Sequence, residues 1–540
     1  MLFSPTSAKS AKVKMLYGII YVLLTLGGIT MVAPFLIMVT GSLEPKADAT
    51  DSMFFPAYLV SDKVLWERYI ETKYHGVADL LRMAWDWPDG SFRDINAFSA
   101  DTLLSGEREA MSLWKKFTAA TPMDPKFFMP GFLRPNTKMP AFMNGVFQDW
   151  LLKKYGSIQA VNDAFATNLK RIEDIIPPRV RVDGPSLPQT PLVRDFFEFS
   201  TTLPADQKFG TAYSDYKKVP FPATAPAVGG EPWFFFVSRL LRTDFIEFTP
   251  EGTARLAASG LLKDEFIRTR AAATDLRVVS ADILFDEWAA AQGFGHVEIP
   301  QMALDREAFL AQRGFWRWEF LTANYRHVYG EISGHGGAIR NTVIFVVLSI
   351  GGALLVNPLA AYALSRFRLR ASYAILLFLL ATIAFPAEVT MIPVFLQMKE
   401  LNLLNTFGAL ILPGLANGFS IFLLKGFFDS LPRELYEAAE IDGASEWTMF
   451  WNISMTLSKP ILAVIALEAF VSAYGTFFYA LILAPDPKIW TIMVYIYEMR
   501  QGAATPVVYA SLIITAIPTL LVFITCQNII LRGLVVPSEK

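Results

Sequence analysis

Few residues of this 540-residue chain are of the types that carry covalent or metal chemistry, and none is spaced for it. The single cysteine, Cys526, falls inside a long apolar run, so no intrachain disulfide can form. The four histidines, His75, His296, His327 and His335, show no H-E-x-x-H pair and no other metal-ligand spacing. No G-x-x-x-x-G-K-[ST] occurs, so the chain has no loop to cradle the phosphates of ATP, and any nucleotide hydrolysis must come from another polypeptide. Two features remain: acids inside apolar runs, Glu388 and Glu468, and a small-residue pattern around Ala438.

Glu468 stands about nine residues into its run, roughly 14 Å deep at 1.5 Å per residue. A carboxylate there is costly against lipid, and it must face a bundle interior, a partner subunit or a wet cavity. Two roles stay open for it: accepting hydrogen bonds from a hydroxylated ligand, or resting protonated or paired inside the bundle. Phe470, Tyr474 and Phe477 on the same run offer faces suited to sugar rings, although aromatics in such helices more often pack or anchor. Glu388 reads first as structural. In the stretch Leu435–Ala444, Pro432 and Glu434 suit the first turn of a helix, and Gly443 suits its end. Ala438 and Asp442 lie four apart on one face, and with Ala439 they offer a smooth surface that a neighbouring protein can approach closely.

The elements that position these residues are apolar. Hydrophobic residues make up 53% of the chain and charged residues 18%, with a mean hydropathy of +0.36. The surplus is concentrated in six runs, near Met15–Thr40, Ala338–Ala363, Tyr373–Gln397, Phe407–Phe428, Pro460–Ala484 and Val507–Leu531. Each has about 20 residues or more, enough for a helix to cross roughly 30 Å of hydrocarbon. Pro358, Pro386, Pro393 and Pro413 do not veto helices there, because neighbouring helices satisfy the freed backbone groups. The basic residues Lys9, Lys12 and Lys14, Arg366, Arg368 and Arg370, and Lys425, Arg433 and Lys459 all fall on one side of the six crossings. The positive-inside rule makes that side cytoplasmic, with both termini on it. The first run is longer than a signal-peptide core and lacks an A-x-A-like site, which favours an anchored span.

Leu435-Tyr436-Glu437-Ala438-Ala439-Glu440-Ile441-Asp442-Gly443-Ala444 resembles the EAA loop of bacterial ABC-importer permeases. The resemblance extends in order through Ala33-Pro34-Phe35, Ser42-Leu43, Asn324-Tyr325, Arg340-Asn341-Thr342, Ala361-Tyr362-Ala363-Leu364-Ser365-Arg366 and Phe385-Pro386-Ala387-Glu388. It continues through Ile392-Pro393, Leu403-Leu404-Asn405-Thr406, Phe422-Leu423-Leu424-Lys425, Leu431-Pro432-Arg433 and Leu457-Ser458-Lys459-Pro460. On these motifs the chain resembles the carbohydrate-type permease family that includes the maltose-transporter subunits, over residues 1 to about 48 and about 324 to 540.

The resemblance implies an all-α polytopic membrane protein with six transmembrane helices, the permease subunit of an ATP-driven importer of a sugar or oligosaccharide. It implies no catalytic residue and no cofactor on this chain, with ATP and Mg held by the partner. The implied partners are two ATPase subunits, a second permease in a heterodimer and an external solute-binding protein, in a bacterial cytoplasmic membrane. Glu437, Ala438, Ala439, Asp442 and Gly443, within a coupling loop at about 430–456, would transmit the ATPase stroke. Glu468, Phe470, Tyr474 and Phe477 would line the translocation path. The fifth run departs from the family, with Tyr474-Gly475-Thr476 where relatives carry a Trp-Asn-Asp-like segment and Thr456 where a proline is usual, and this puts the substrate in doubt. A non-sugar solute such as a polyol remains a second reading, and a membrane-tethered external binding or scaffold protein a third.

Residues 49–323 have no counterpart in most of the family, and topology places them outside the membrane as one or two domains. This insertion is mildly acidic and the remainder mildly basic, with no basic patch that would suit nucleic acid. It has no low-complexity tract and holds most of the tryptophans, so it folds. The apolar spacing predicts two helices turning at Gly156, with proline-rich connections at Ile176-Pro177-Pro178 and Val219-Pro220-Phe221-Pro222. Phe147-x-x-Trp150 has an echo at Phe285-x-x-Trp288. Trp150–Asn162 resembles a helical segment of some family-42 glycoside hydrolases over about 30 residues, without that family's catalytic carboxylates, so a packed helix-turn-helix is the favoured reading over an external glycosidase.

Overall fold

The computed structural model describes residues 11–44, 55–87, 90–92, 95, 105–133, 141–178, 190–210, 245–334, 337–367, 370–382 and 385–533. Lys9, Arg368 and the Val219–Pro222 connection lie outside them. The chain forms two compact units, residues 1–327 and 328–540, and the division falls inside one long helix.

The N-terminal unit begins with α1 (Ala11–Ser42), apolar all round, whose most apolar 18-residue window within Met15–Ser42 buries nothing inside the chain. Such a helix has only lipid or another subunit to cover it. Its C-terminal end is tied down. Ser42 and Tyr325 share a hydroxyl hydrogen bond of 2.6 Å, and the Asn324 amide donates to the carbonyls of Ser42 and Glu44 at 2.8 and 3.0 Å. The two ends of the insertion therefore meet at motif residues.

The insertion itself is helical: α2 (Asp62–Lys73), α3 (Ala78–Trp85), α4 (Ser105–Ala120), α5 (Phe142–Tyr155), α6 (Ile158–Phe165), α7 (Pro191–Thr202), α8 (Pro250–Ser259), α9 (Lys263–Thr269), α10 (Ala281–Ala291) and α11 (Gln301–Gly334). Its caps are legible. Ser61, Ser157 and Thr190 each accept a backbone N–H at the start of a helix, and Gly156 ends α5 at φ 82°. The two helices turning at Gly156 are thus α5 and α6. Two short antiparallel ribbons join them, β1 (Phe128–Pro130) with β2 (Lys208–Gly210), and β3 (Ile246–Phe248) with β4 (Leu276–Val278).

One packing unit recurs within this domain. Stacked aromatic pairs three residues apart occur on α2, α5 and α10: Trp66 with Tyr69 (centroids 5.8 Å), Phe147 with Trp150 (6.4 Å) and Phe285 with Trp288 (6.4 Å). Each pair receives a phenylalanine from another helix, Phe309 of α11, Phe199 of α7 and Phe117 of α4 respectively. In two of the three an ionic clasp lies one turn away. Lys73 pairs with buried Asp305 at 2.8 Å and Lys154 with buried Asp195 at 3.2 Å, and the tyrosine next to each lysine donates to the same carboxylate at 2.5 Å. Asp305 also accepts from Trp85 and Gln301, so its lone pairs are filled, as a carboxylate removed from water requires.

The C-terminal unit holds α12 (Gly337–Arg366), α13 (Ser372–Thr382), α14 (Ala387–Glu400), α15 (Phe407–Ile411), α16 (Gly418–Asp429), α17 (Arg433–Ile441), α18 (Glu446–Met449), α19 (Lys459–Gly475), α20 (Phe478–Leu483), α21 (Ile492–Arg500) and α22 (Thr505–Gly533). The first, second and sixth apolar runs are unbroken membrane-length helices. The third divides into α13 and α14. The fourth bends by 51° between α15, with the 3-10 turn that follows it, and α16. In the fifth, α19 stops at Gly475 and resumes as α20. The fourth-run break is capped internally: Asn417 accepts from the Ser420 N–H, and its own N–H donates to the Asn357 side chain at 2.8 Å. These bonds satisfy the broken helix in the absence of water.

Candidate functional site

The predicted helix around Ala438 is α17. Pro432 stands at its N-cap, one residue outside the helix proper, and Glu434 lies in its first turn. Its end is a complete Schellman turn. Gly443, at φ 78°, donates to the Glu440 carbonyl and Ala444 donates to that of Ala439. Open space surrounds the Gly443 Cα, so the left-handed backbone rather than crowding demands glycine there.

Only Tyr436 of this helix is buried. Glu437, Ala438, Asp442 and Gly443 are exposed, whereas Ala439 is half-buried against the cluster around Tyr436 and Phe450. Ile441 is 87% exposed and Trp447 59%. An apolar, small-residue ridge held outward in this way is suited to burial by another protein.

What holds the ridge was not singled out from sequence. The Arg366 guanidinium lies 3.8 Å above the Tyr436 ring and 3.5 Å from the Glu440 carboxylate. The Tyr436 hydroxyl shares a bond with Ser454 at 2.8 Å, and Tyr362 donates to Glu446 at 2.6 Å. Arg366 and Tyr362 come from the end of α12, so one membrane helix grips both arms of the loop. Beyond α18 the chain makes a π turn over Phe450–Met455 and then turns by 84° into α19. Arg366 sits in a motif quoted above, and its place at the end of an apolar run was the available signal.

Glu468 lies on α19 beside a cavity of about 130 Å³ whose polar lining includes Asn357, Asn417, Ser420, Ser472 and Thr476. The Ser420 hydroxyl faces its carboxylate at 3.4 Å, and Glu468 is exposed. The aromatics predicted beside it point elsewhere. Tyr474 is buried and donates to the Thr515 carbonyl of α22 at 2.7 Å, with Phe470 stacked on it at 5.6 Å. Phe477 packs on Phe478 and Tyr497. The side chain of Glu388 lies outside the described residues.

The family of binding-protein-dependent transport system inner membrane components matches residues 356–536. The diacetylchitobiose uptake system permease protein NgcG of Streptomyces coelicolor is 31% identical over 223 residues, covering 39% of this chain and 71% of that protein. Protein LplC of Bacillus subtilis is 31% identical, covering 43% and 84%. The sn-glycerol-3-phosphate transport system permease protein UgpE of Yersinia enterocolitica is 32% identical, covering 41% and 81%. The chain belongs to this family of binding-protein-dependent inner membrane transport components, and it is a multi-pass membrane transport subunit. These relatives each cover less than half of this chain, and the family match lies within the C-terminal unit.

Proposed function

We propose that this protein is the permease of an ATP-driven importer that translocates a sugar or oligosaccharide handed over by an external solute-binding protein. The observation that carries the reading is α17, an exposed helix locked at its end by Gly443 and clamped to a membrane helix by Arg366. Partner ATPases closing on ATP would move this peg as a rigid body, and the 84° elbow into α19 would turn its displacement into rotation of the helix that bears Glu468. Two ATPase subunits supply the phosphate chemistry absent from this chain, and the coupling loop lies on the cytoplasmic side with both termini.

A second permease fits the geometry of α19. An exposed carboxylate at membrane depth needs a partner or an aqueous path. The 130 Å³ cavity holds about four waters at roughly 30 Å³ each, well below the roughly 300 Å³ of the smallest ordinary ligand pocket, so a sugar-sized passage needs a facing subunit. Among solutes, Glu468 favours a neutral hydroxylated molecule over a phosphorylated polyol of the kind named for UgpE, because a carboxylate accepts hydroxyl hydrogens and repels a phosphate.

The test is the reconstituted complex in liposomes with its ATPase and binding protein. Gly443→Val, which a β-branched residue at positive φ strains, is expected to assemble yet lose binding-protein-stimulated ATP hydrolysis. Gly443→Asn, which tolerates that backbone, is expected to keep most of it. Full stimulation in the valine variant would exclude the coupling role, and uptake of sn-glycerol 3-phosphate in preference to a neutral disaccharide would exclude the sugar.

A further inference from the structure

The N-terminal unit contains a cavity of about 710 Å³, bounded by α4, the β1–β2 ribbon and the first turns of α11. Its floor is the buried Lys73, whose charge is neutralised by Asp305 and whose ammonium also donates to the Asp206 backbone carbonyl at 2.8 Å. Lys115 and Glu307, also on the lining, pair with each other at 2.7 Å, whereas Lys208 and Asp206 have no ion pair of this kind among the described residues.

Lys208 is half-buried there, its ammonium 5.0 Å from the centroid of the Phe128 ring, and among the described residues no carboxylate pairs with it. Burial holds its pKa below the ordinary lysine value. One Asp206 carboxylate oxygen accepts from the Gln312 amide at 2.8 Å, and the other has no donor among the described residues. Gln312 is also where α11 leaves helical geometry, at φ −125° and ψ 17°, so the helix kinks at the cavity wall. Gln301 is buried and donates to Asp305 at 2.7 Å, which leaves its amide oxygen for the cavity. An ammonium, a carboxylate oxygen and amide groups thus surround one hollow beside an aromatic ring.

We infer that this cavity binds a carbohydrate, an oligosaccharide of about two or three residues by the 300–1,000 Å³ scale of ordinary ligand pockets. Sugar hydroxyls both donate and accept, so they satisfy Asp206 and Lys208 together, while the C–H face of a ring covers Phe128. An apolar ligand leaves the ammonium unpaired in a desolvated site, and a phosphate meets the Asp206 carboxylate. The ligand class rests on the carbohydrate reading of the transporter, whereas the site rests on the cavity alone. The insertion then acts as a receptor for the solute, separate from the path through the membrane.

The experiment is calorimetric titration of the full-length protein in lipid nanodiscs, without ATPase or binding protein, so that it is independent of coupling. The probes are diacetylchitobiose, cellotriose, maltotriose and xylotriose, with sn-glycerol 3-phosphate as the anionic comparison. At least one oligosaccharide is expected to bind saturably. Lys208→Met is expected to weaken it at least tenfold, and Ala311→Trp, which fills the hollow from an exposed position, to abolish it with the thermal melt unchanged. No binding by any of the four sugars, binding of the phosphate alone, or binding indifferent to both substitutions overturns the proposal. Gly443→Val, which disables coupling, is expected to leave this binding intact.

Discussion

Arg366 is the residue on which α17 leans, through a cation held over the Tyr436 ring and a carboxylate at Glu440. Replacing it with leucine removes both and costs about 1–2 kcal/mol of docking, near tenfold in the aligned population. Stimulated ATPase turnover is expected to fall by a similar factor, with Arg366→Lys intermediate because it keeps the charge and loses the planar stack. The two aspartate clasps of the insertion make a graded pair. Lys73 and Asp305 are both excluded from water, so Asp305→Asn strands a buried ammonium and is expected to cost about 3–5 kcal/mol. Lys154 is 28% exposed, and Asp195→Asn is expected to cost about 1–2 kcal/mol, since solvent screens the orphaned charge. Thermal unfolding followed by tryptophan emission reads both, because most tryptophans lie in the insertion. Equal losses for the two variants would contradict the burial argument. Burial first, and then the Asp305 charge, push the Tyr74 phenol well above its ordinary pKa; Tyr155 is raised by burial and by its bond to Asp195. A raised phenol pKa contributes stability that is fully present below the unfolded value near 10, and it is lost as pH rises past that value, because the unfolded chain ionises first. Unfolding of the insertion is therefore expected to become easier above about pH 10, and a melt flat from pH 9 to 11 would count against it.

At the level of elements, the close contact between the third and fourth apolar runs depends on one missing side chain. A Cβ on Gly418 would stand 2.4 Å from the Leu379 carbonyl oxygen, a rigid backbone atom of α13. Small residues let membrane helices approach in this way, where lipid supplies no hydrophobic drive. Gly418→Val is expected to abolish detergent-stable protein, while Gly426→Val, at a glycine surrounded by open space, is expected to leave the yield unchanged. Sequence made the apolar runs visible but not their bends, because a break satisfied by a distant side chain, as Asn357 satisfies Asn417, leaves no local trace. The helix α17 was legible to within a residue, since proline, glutamate and glycine each have a positional preference at helix ends. The echo of Phe147 and Trp150 at Phe285 and Trp288 was also legible. Its third copy at Trp66 and Tyr69 was hidden because the aromatic types are exchanged while the three-residue spacing is kept. The orientation of Phe470, Tyr474 and Phe477 could not be read at all: the same residues serve stacking on a ligand or packing on a neighbour, and only contacts such as that of Tyr474 with Thr515 distinguish them.

For the whole molecule, the decisive feature is that the insertion leaves and re-enters at one place. Ser42 and Asn324 are separated by the whole insertion yet joined by a hydrogen bond, and both residues belong to the motifs on which the chain resembles the permease family. A short loop can therefore close where some 270 residues now stand, and the entropy of doing so changes only slowly with loop length. Deleting residues 52–318 is expected to leave a membrane protein that still assembles with its ATPase and hydrolyses ATP at the basal rate. The loss is expected at the other end of the cycle. If the insertion receives solute or binding protein, the deletion raises the half-saturating concentration for uptake at least severalfold and leaves the maximal rate nearly unchanged, because α17, Arg366 and α19 are all retained. Uptake measured over a range of solute concentrations separates the two parameters. An unchanged half-saturation with a lowered maximal rate would assign the insertion to the mechanics of transport rather than to capture.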